Sequence, residues 1–416
     1  MQKVLVACSM FFFFGVSQVQ AQDSSDASSA TPSSNAQAPN DAVGVHLAPG
    51  LRGTAGVGLQ TIYSSNFYQT PDDPKSSFGF VLSPNVLLLR EAKKIKYEIG
   101  AGLEAAKYTN VDIGPDNYLD GSLSGKLSWQ ALTRHRFSAD FRTHYSHDQF
   151  GAFRTETGFD PNAGLDKWLE TGVNGSYRFG APGALINLET AVGWIGRHYE
   201  TNRDATQFLD YRIWTARETA YFNVSSKTSL IAEVVYSDFG YYHEYPGYAT
   251  RDTTEIRYRA GIHWIATGTT SGDLRVGKLQ RNFDNPNRDD TSAIDWLASV
   301  TWAPQTYSIF SLQTGNQSQQ SYVAGVQLIQ NRFGAIDWTH NYTNYLRSRV
   351  AYSHVNSQFV GSSRVDNIDT FALEANYLAT KRLMGTAGAA YSRRSSNVEE
   401  RDYSGTTLYL GVRYNR

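Results

Sequence analysis

The residues best suited to acid–base or metal chemistry are nine histidines, His46, His135, His144, His147, His198, His243, His263, His340 and His354, and none falls in an H-E-x-x-H or other ligand spacing. His144, His147 and Asp148 could act together near a strand top. No serine in a nucleophile setting accompanies them, so they read as loop polarity. The run from Asp284 to Asp290 is rich in oxygen ligands yet lacks the EF-hand pattern. No phosphate-binding or dinucleotide glycine motif precedes a helix. The sequence therefore predicts no enzyme, no cofactor and no resident metal.

What the sequence does offer is a charged wall. Cationic side chains recur at Lys96, Lys126, Arg136, Arg142, Arg257, Arg259, Arg275, Arg347 and Arg349. Anionic ones recur at Glu98, Glu104, Asp120, Asp140, Glu170, Glu189, Glu233, Asp295, Asp337 and Glu374. A ring of one sign would select ions, but two nearly balanced signs do not. The expectation is pairing between neighbouring strands, which stiffens a wall and fills space. Such polar groups mixed with aromatics also suit a carbohydrate, whose hydroxyls need donors and acceptors and whose ring faces lie on Tyr or Trp.

The elements that position these charges have a period of two. Ile95, Tyr97, Ile99, Ala101, Leu103 and Ala105 alternate with Lys96, Glu98, Gly100, Gly102 and Glu104. The segments 134–146 and 252–266 behave alike, giving strands with one apolar and one strongly polar face. Segments of about 10–14 residues exceed the usual ~5–6 of soluble strands. They fit strands that cross a bilayer at a tilt, greasy outside and wet inside.

Connections support this architecture. Short turns are expected near 92–93, 133–134, 181–183, 225–227, 267–270, 304–306, 343–344 and 380–381. Longer polar loops are expected at 69–76, 109–117, 148–166, 198–207, 240–252, 281–291, 315–321, 356–366 and 394–404. The alternation predicts an all-β, transmembrane antiparallel up-and-down β-barrel of about 18 strands, with short periplasmic turns, long extracellular loops and both termini periplasmic. The loops at 148–166 and 240–252 are candidates to fold inward as a constriction. Trp129, Trp168, Trp264, Trp302, Tyr342 and Tyr377 lie near strand ends, where amphipathic rings favour the membrane boundary. The last strand, 406–416, carries Leu408, Leu410, Val412 and Tyr414 on one face and should close the barrel against the first.

Residues 1–21 read as a secretory signal, with Lys3, an apolar run from Val4 to Val16 and a Val19-Gln20-Ala21 cleavage site. Cleavage there removes Cys8, the only cysteine, and with it all thiol chemistry. Cys8 is a poor lipoprotein site, since Phe11 to Phe14 follow it. Residues 22–44 are Ser, Ala, Asn, Gln and Pro without apolar period, the composition of a disordered periplasmic tail. The barrel should then occupy 45–416. A net charge of −1 excludes a nucleic-acid binder, and no stretch beyond residue 21 is long and apolar enough for a membrane helix.

Three short motifs resemble a family of bacterial outer-membrane barrels encoded in exopolysaccharide biosynthesis operons and grouped with type-two β-barrel porins. Tyr63-Ser64-Ser65-Asn66-Phe67 resembles the family's Tyr-Asp-x-Asn strand top, with Ser64 where Asp is usual. Leu82-Ser83-Pro84-Asn85-Val86 resembles its Leu-x-Pro-x-aliphatic element, and Asp116-Asn117-Tyr118-Leu119-Asp120 its acidic-aromatic fourth-strand start. The resemblance implies a role in polysaccharide secretion, with a polysaccharide chain as cargo, outer-membrane lipid around the barrel, and periplasmic and inner-membrane export proteins as partners. A diffusion porin for small polar solutes and a non-conducting structural barrel remain the alternatives that composition and spacing leave open.

Overall fold

A computed structural model of the chain describes residues 44–109, 117–149, 164–267 and 269–416. The expected signal, all but the last residue of the expected tail, Asp116 and most of the 148–166 loop lie outside the described residues. Nineteen strands follow in order: β1 (Val45–Ala48), β2 (Leu51–Ser64), β3 (Ser77–Glu91), β4 (Ile95–Thr109), β5 (Tyr118–Leu132), β6 (His135–His147), β7 (Lys167–Phe179), β8 (Ile186–Tyr199), β9 (Tyr211–Ser225) and β10 (Thr228–Tyr241). They continue with β11 (Thr253–Thr267), β12 (Thr270–Phe283), β13 (Thr291–Gln305), β14 (Ser308–Gln320), β15 (Leu328–Asn341), β16 (Leu346–Val360), β17 (Val365–Leu378), β18 (Leu383–Ser396) and β19 (Tyr403–Asn415). From β2 onward each strand pairs antiparallel with its sequence neighbour. β19 then pairs with β2, from Thr407↔Ser64 to Asn415↔Gly56, and closes an 18-strand barrel.

Alternation decides which side chain meets which solvent. On β10, Leu230, Val234 and Tyr236 are 42–47% exposed on the outer face, whereas Glu233 on the inner face is 3% exposed. The same division recurs around the wall, so the outer surface carries rows of exposed Leu, Val, Phe and Tyr. In water such a continuous apolar surface would drive aggregation; in hydrocarbon it is the stable arrangement. Strands of 13–15 residues, rising ~3.3 Å per residue at ~40° tilt, give a wall ~35 Å tall, enough to cross the apolar layer.

The turn-and-loop alternation holds with local shifts. β14 runs to Gln320, so its loop is 321–327 rather than 315–321, because the ladder to β15 continues from Gly315↔Phe333 to Gln320↔Leu328 despite turn-like residues. The 361–364 connection is as short as a turn. No alternation or turn motif marks β1, which folds back on β2 (His46↔Arg52) through Gly50 at φ +73°. A Cβ at Gly50 would sit 2.8 Å from the Glu91 carbonyl oxygen. Pro84, inside β3, removes a ladder donor, and the β3–β4 pairing lapses between Leu82↔Ala105 and Asn85↔Gly102.

Candidate functional site: the inner wall and its mouth

The register places all nineteen charged candidates on the face opposite the exposed apolar rows, but it does not join them into one ring. Five of them, Glu233, Arg257, Arg259, Arg275 and Asp295, are buried in one packed sector spanning β10–β13. There Arg259 bridges Glu233 at 3.1 Å and Asp295 at 2.5 Å, and Arg257 bridges Asp295 at 2.9 Å and Glu255 at 2.8 Å. Arg275 contacts Glu233 and bridges Asp273 at 2.8 Å, while Arg281 reaches Glu255 at 2.7 Å. Four guanidiniums thus meet four carboxylates, and the sector is neutral. Glu189 lies beside it, 3.5 Å from Arg217 and 3.7 Å from Arg178.

Of the remaining candidates Glu374 is also buried, 4% exposed, and the others line a more open sector. Lys96 pairs with Glu91 at 3.1 Å, and Arg136 donates to Gln130 at 3.1 Å. Asp140 accepts from Asn174 at 3.2 Å, and Glu104 accepts from the Tyr118 hydroxyl at 2.6 Å. Asp337 contacts Arg349, while Glu374 accepts from Asn376 at 2.6 Å and from Tyr409 at 2.9 Å. Glu98, Arg142 and Arg347 are half-buried, with Glu98 across the ladder from Lys126 and Arg347 across from Asn376. Near the top of this sector Phe67, Tyr108, Tyr118 and His147 form a chain of rings with centroids 4.7, 6.4 and 4.2 Å apart.

The mouth is narrowed by an element that the sequence did not single out. The β13–β14 ladder stops at Leu297↔Gly315, and above it the β14–β15 hairpin leaves the wall. Arg257 on β11 donates to the Asn316 carbonyl at 2.9 Å and to the Ser318 hydroxyl at 3.0 Å. Ser318 donates to Glu255 at 2.6 Å, and Arg281 on β12 contacts Gln330 on β15. Strands three apart are separated by ~14 Å along a flat wall, beyond these bond lengths, so the hairpin must fold over the inner face. Its tip, 321–327, is pinned by the Tyr241 hydroxyl, which accepts from the Ser321 amide at 2.7 Å. Arg251, 1% exposed, donates to the Ser321 carbonyl at 3.3 Å and the Phe208 carbonyl at 2.6 Å, and stacks 3.7 Å over Tyr241. The 240–252 loop is thus the anchor for the inward element.

Across the mouth, the buried Asp148 accepts from Trp168 Nε1 at 2.9 Å and from the Tyr199 hydroxyl at 2.8 Å. Burial pushes its carboxyl up to about 6, against the opposing pull of the nearby Arg197 guanidinium. Trp168 is therefore not a girdle residue. It packs inward beneath Arg197, 3.9 Å from the ring centroid, whereas Trp129, Trp302, Tyr342 and Tyr377 are exposed on the outer surface.

Sequence reasoning omitted Glu255, Arg281, Asp273 and Arg217 from the charged wall. Glu255 and Arg257 share one alternating face, a signal that was present. Arg281 fell inside an expected loop that in fact begins at 284. Among the described residues no group of three His, Cys, Asp or Glu could hold a metal ion.

The family described as "Putative beta-barrel porin 2" matches residues 55–416. No curated protein matches the chain in sequence. Among solved structures, the outer membrane protein opdK of Pseudomonas aeruginosa is similar at 10% identity and a TM-score of 0.47, covering 88% of this chain and 99% of that one. OccAB4 of Acinetobacter baumannii gives 10% and 0.45, covering 88% and 98%. The apoprotein form of the FrpB iron transporter of Neisseria meningitidis gives 11% and 0.45, covering 87% and 81%.

Proposed function

From the premise that this chain belongs to the β-barrel porin 2 family, we propose that this porin-like outer-membrane barrel is a passive channel whose cargo is an exopolysaccharide made behind it. The observation that carries the cargo is the open sector, where a chain of aromatic rings from Phe67 to His147 runs beside Glu104 and Asp120. Ring faces cover the apolar faces of sugars, and carboxylates accept from their hydroxyls. A polymer must also leave, so contacts should be weak and repeated rather than concentrated in one pocket. The short-turn rim would face the periplasm, placing the chain termini on that side with the export proteins that supply the polymer.

The second reading, a diffusion porin for small polar solutes, is favoured by the neutral, packed sector and the inward hairpin, which both narrow the lumen. Deleting the gene distinguishes the two: loss of secreted polysaccharide with unchanged uptake of small sugars supports export. Planar-bilayer recordings add a direct test. Added oligosaccharide should interrupt the ionic current, and Tyr108→Ala with Tyr118→Ala should shorten the interruptions severalfold. Full secretion in the deletion strain overturns the export reading.

A further inference from the structure

The apolar band on the outer wall is not equally tall all the way round. Towards the short-turn rim it is level: Trp129 stacks on Phe137, and Phe310 on Trp302 and Trp338, all two or three residues from a turn end. Towards the long-loop rim it is not. On β3, β5, β7 and β9 exposed outward apolar residues continue to Phe78, Leu119, Leu169 and Trp214, 10–13 residues above the turn end. On β15–β18 the run ends at Ile336, Tyr352, Phe371 and Tyr391, only 5–8 residues above it. These four form one ladder row, Ile336↔Tyr352, Tyr352↔Phe371 and Phe371↔Tyr391. At ~2.5 Å of height per tilted residue, the band is ~12 Å shorter on this side. A tilted barrel would shift both boundaries, so the shortening belongs to the wall itself.

Above that row two outward rows are polar. The first carries His354, Asp369 and Arg393, and the next Arg332, Asn356, Asn367 and Ser395. On β16 and β17 apolar side chains return only at Val360 and Val365, beside the 361–364 connection. Asp369 accepts from the Tyr352 hydroxyl at 2.7 Å and lies 2.8 Å from His354 Nδ1. Arg332 and Arg393 are exposed, and Arg332 makes no hydrogen bond or ion pair with another described residue. Two arginines against one aspartate leave the patch net positive. Charged groups at a depth where the rest of the wall meets hydrocarbon are costly unless something polar covers them. Thinning the bilayer by the whole difference is costly too.

We propose that the outer face of β15–β18 binds the phosphorylated sugar headgroup of an outer-leaflet glycolipid, seated deeper than its neighbours. Its phosphates meet Arg332 and Arg393, its hydroxyls meet Asn356 and Asn367, and its acyl chains begin at the row from Tyr352 to Tyr391. The two arginines stand three strand spacings apart, ~14 Å, so phosphates at both ends of linked sugars reach them better than a single one. The net charge selects an anion, the amides select a sugar, and the aromatic row below selects a molecule with acyl chains, which a soluble phosphate lacks. The inference takes the long-loop rim as the outer one and stands apart from the identity of the cargo.

Nanodiscs of phosphatidylcholine with added lipid A, a diphosphorylated disaccharide lipid, test it. Native mass spectra of the barrel, released into mild detergent, count the lipid retained. The wild type should keep one lipid A per barrel. Arg332→Gln with Arg393→Gln should lower that retention at least tenfold, while Lys107→Gln, an exposed outward cation on β4, should leave it unchanged. Lipid A stripped of both phosphates should be kept at least tenfold less, and an equal amount of phosphatidylglycerol should not displace the intact lipid. Heat-modifiable gel mobility confirms that each variant is folded. No lipid A on the wild type, or equal retention by the double arginine variant, overturns the proposal. So does an equal loss in Lys107→Gln or displacement by phosphatidylglycerol, either of which would mean a general attraction of anionic lipid.

Discussion

Asp295 is the most informative single perturbation of the inner wall. Its side chain is fully buried and accepts from both Arg257 and Arg259. Asp295→Asn leaves the sector with four guanidiniums and three carboxylates, all in a low-dielectric packing. Removing one partner of a buried pair costs about 3–5 kcal/mol, whereas an exposed pair contributes about 0–1. With ~2 cal/mol/K of unfolding entropy per residue, ~360 barrel residues give ~0.8 kcal/mol/K, so a loss of ~4 kcal/mol lowers the melting midpoint by ~5 °C. Heat-modifiable gel mobility in detergent measures that midpoint. Asp295→Asn with Arg257→Gln returns the sector to three against three, and should recover more than half of the loss. Bilayer recordings supply an independent readout, because the single variant adds one positive charge to the lumen and should shift ion preference towards anions. A shift below 1 °C for the single variant, or no recovery in the double one, would refute the packed-sector reasoning and mean that water fills this side of the lumen.

Other consequences can be checked directly. Asp148 titrates near 6 in the folded chain against 3.8 as an ordinary carboxyl, so the folded state binds its proton more tightly. Its charged form is penalised by ~3 kcal/mol above pH 6, and that penalty fades as pH falls through 6 towards 4, so acid steadies the contacts of Asp148 with Trp168 and Tyr199. The tryptophan fluorescence of the wild type minus that of Asp148→Asn should titrate near pH 6; a flat difference from pH 5 to 7 contradicts this. Deleting 321–327, or replacing Arg251 by Ala, should free the hairpin and raise single-channel conductance, while unchanged conductance would mean that the hairpin is not the constriction. Gly277→Ala would drive a Cβ to 1.7 Å from the Tyr258 carbonyl oxygen, so little folded barrel should be recovered from membranes; wild-type yield would show that the strands can spread there.

Strand number and alternation were legible because they are local. A period of two and the turn residues repeat in every hairpin, and the charges of β11 declare their own face. The inward hairpin was not legible, because nothing local marks it. Gly315 and Asn316 read as a loop, whereas their conformation depends on Arg257 and Glu255, about sixty residues away. Trp168 looked like a girdle residue for a similar reason. A ring at a strand end can turn either way, and Asp148 and Arg197 decide it.

The seam between β2 and β19 ties residues almost at opposite ends of the sequence, with Thr61 donating to the Leu410 carbonyl across 349 positions. Until β19 arrives, β2 presents a bare row of amides and carbonyls that lipid cannot satisfy. No intermediate number of strands offers this chain a resting place in the bilayer. Insertion must therefore wait for the final hairpin or be shepherded by something that lends β2 a temporary edge.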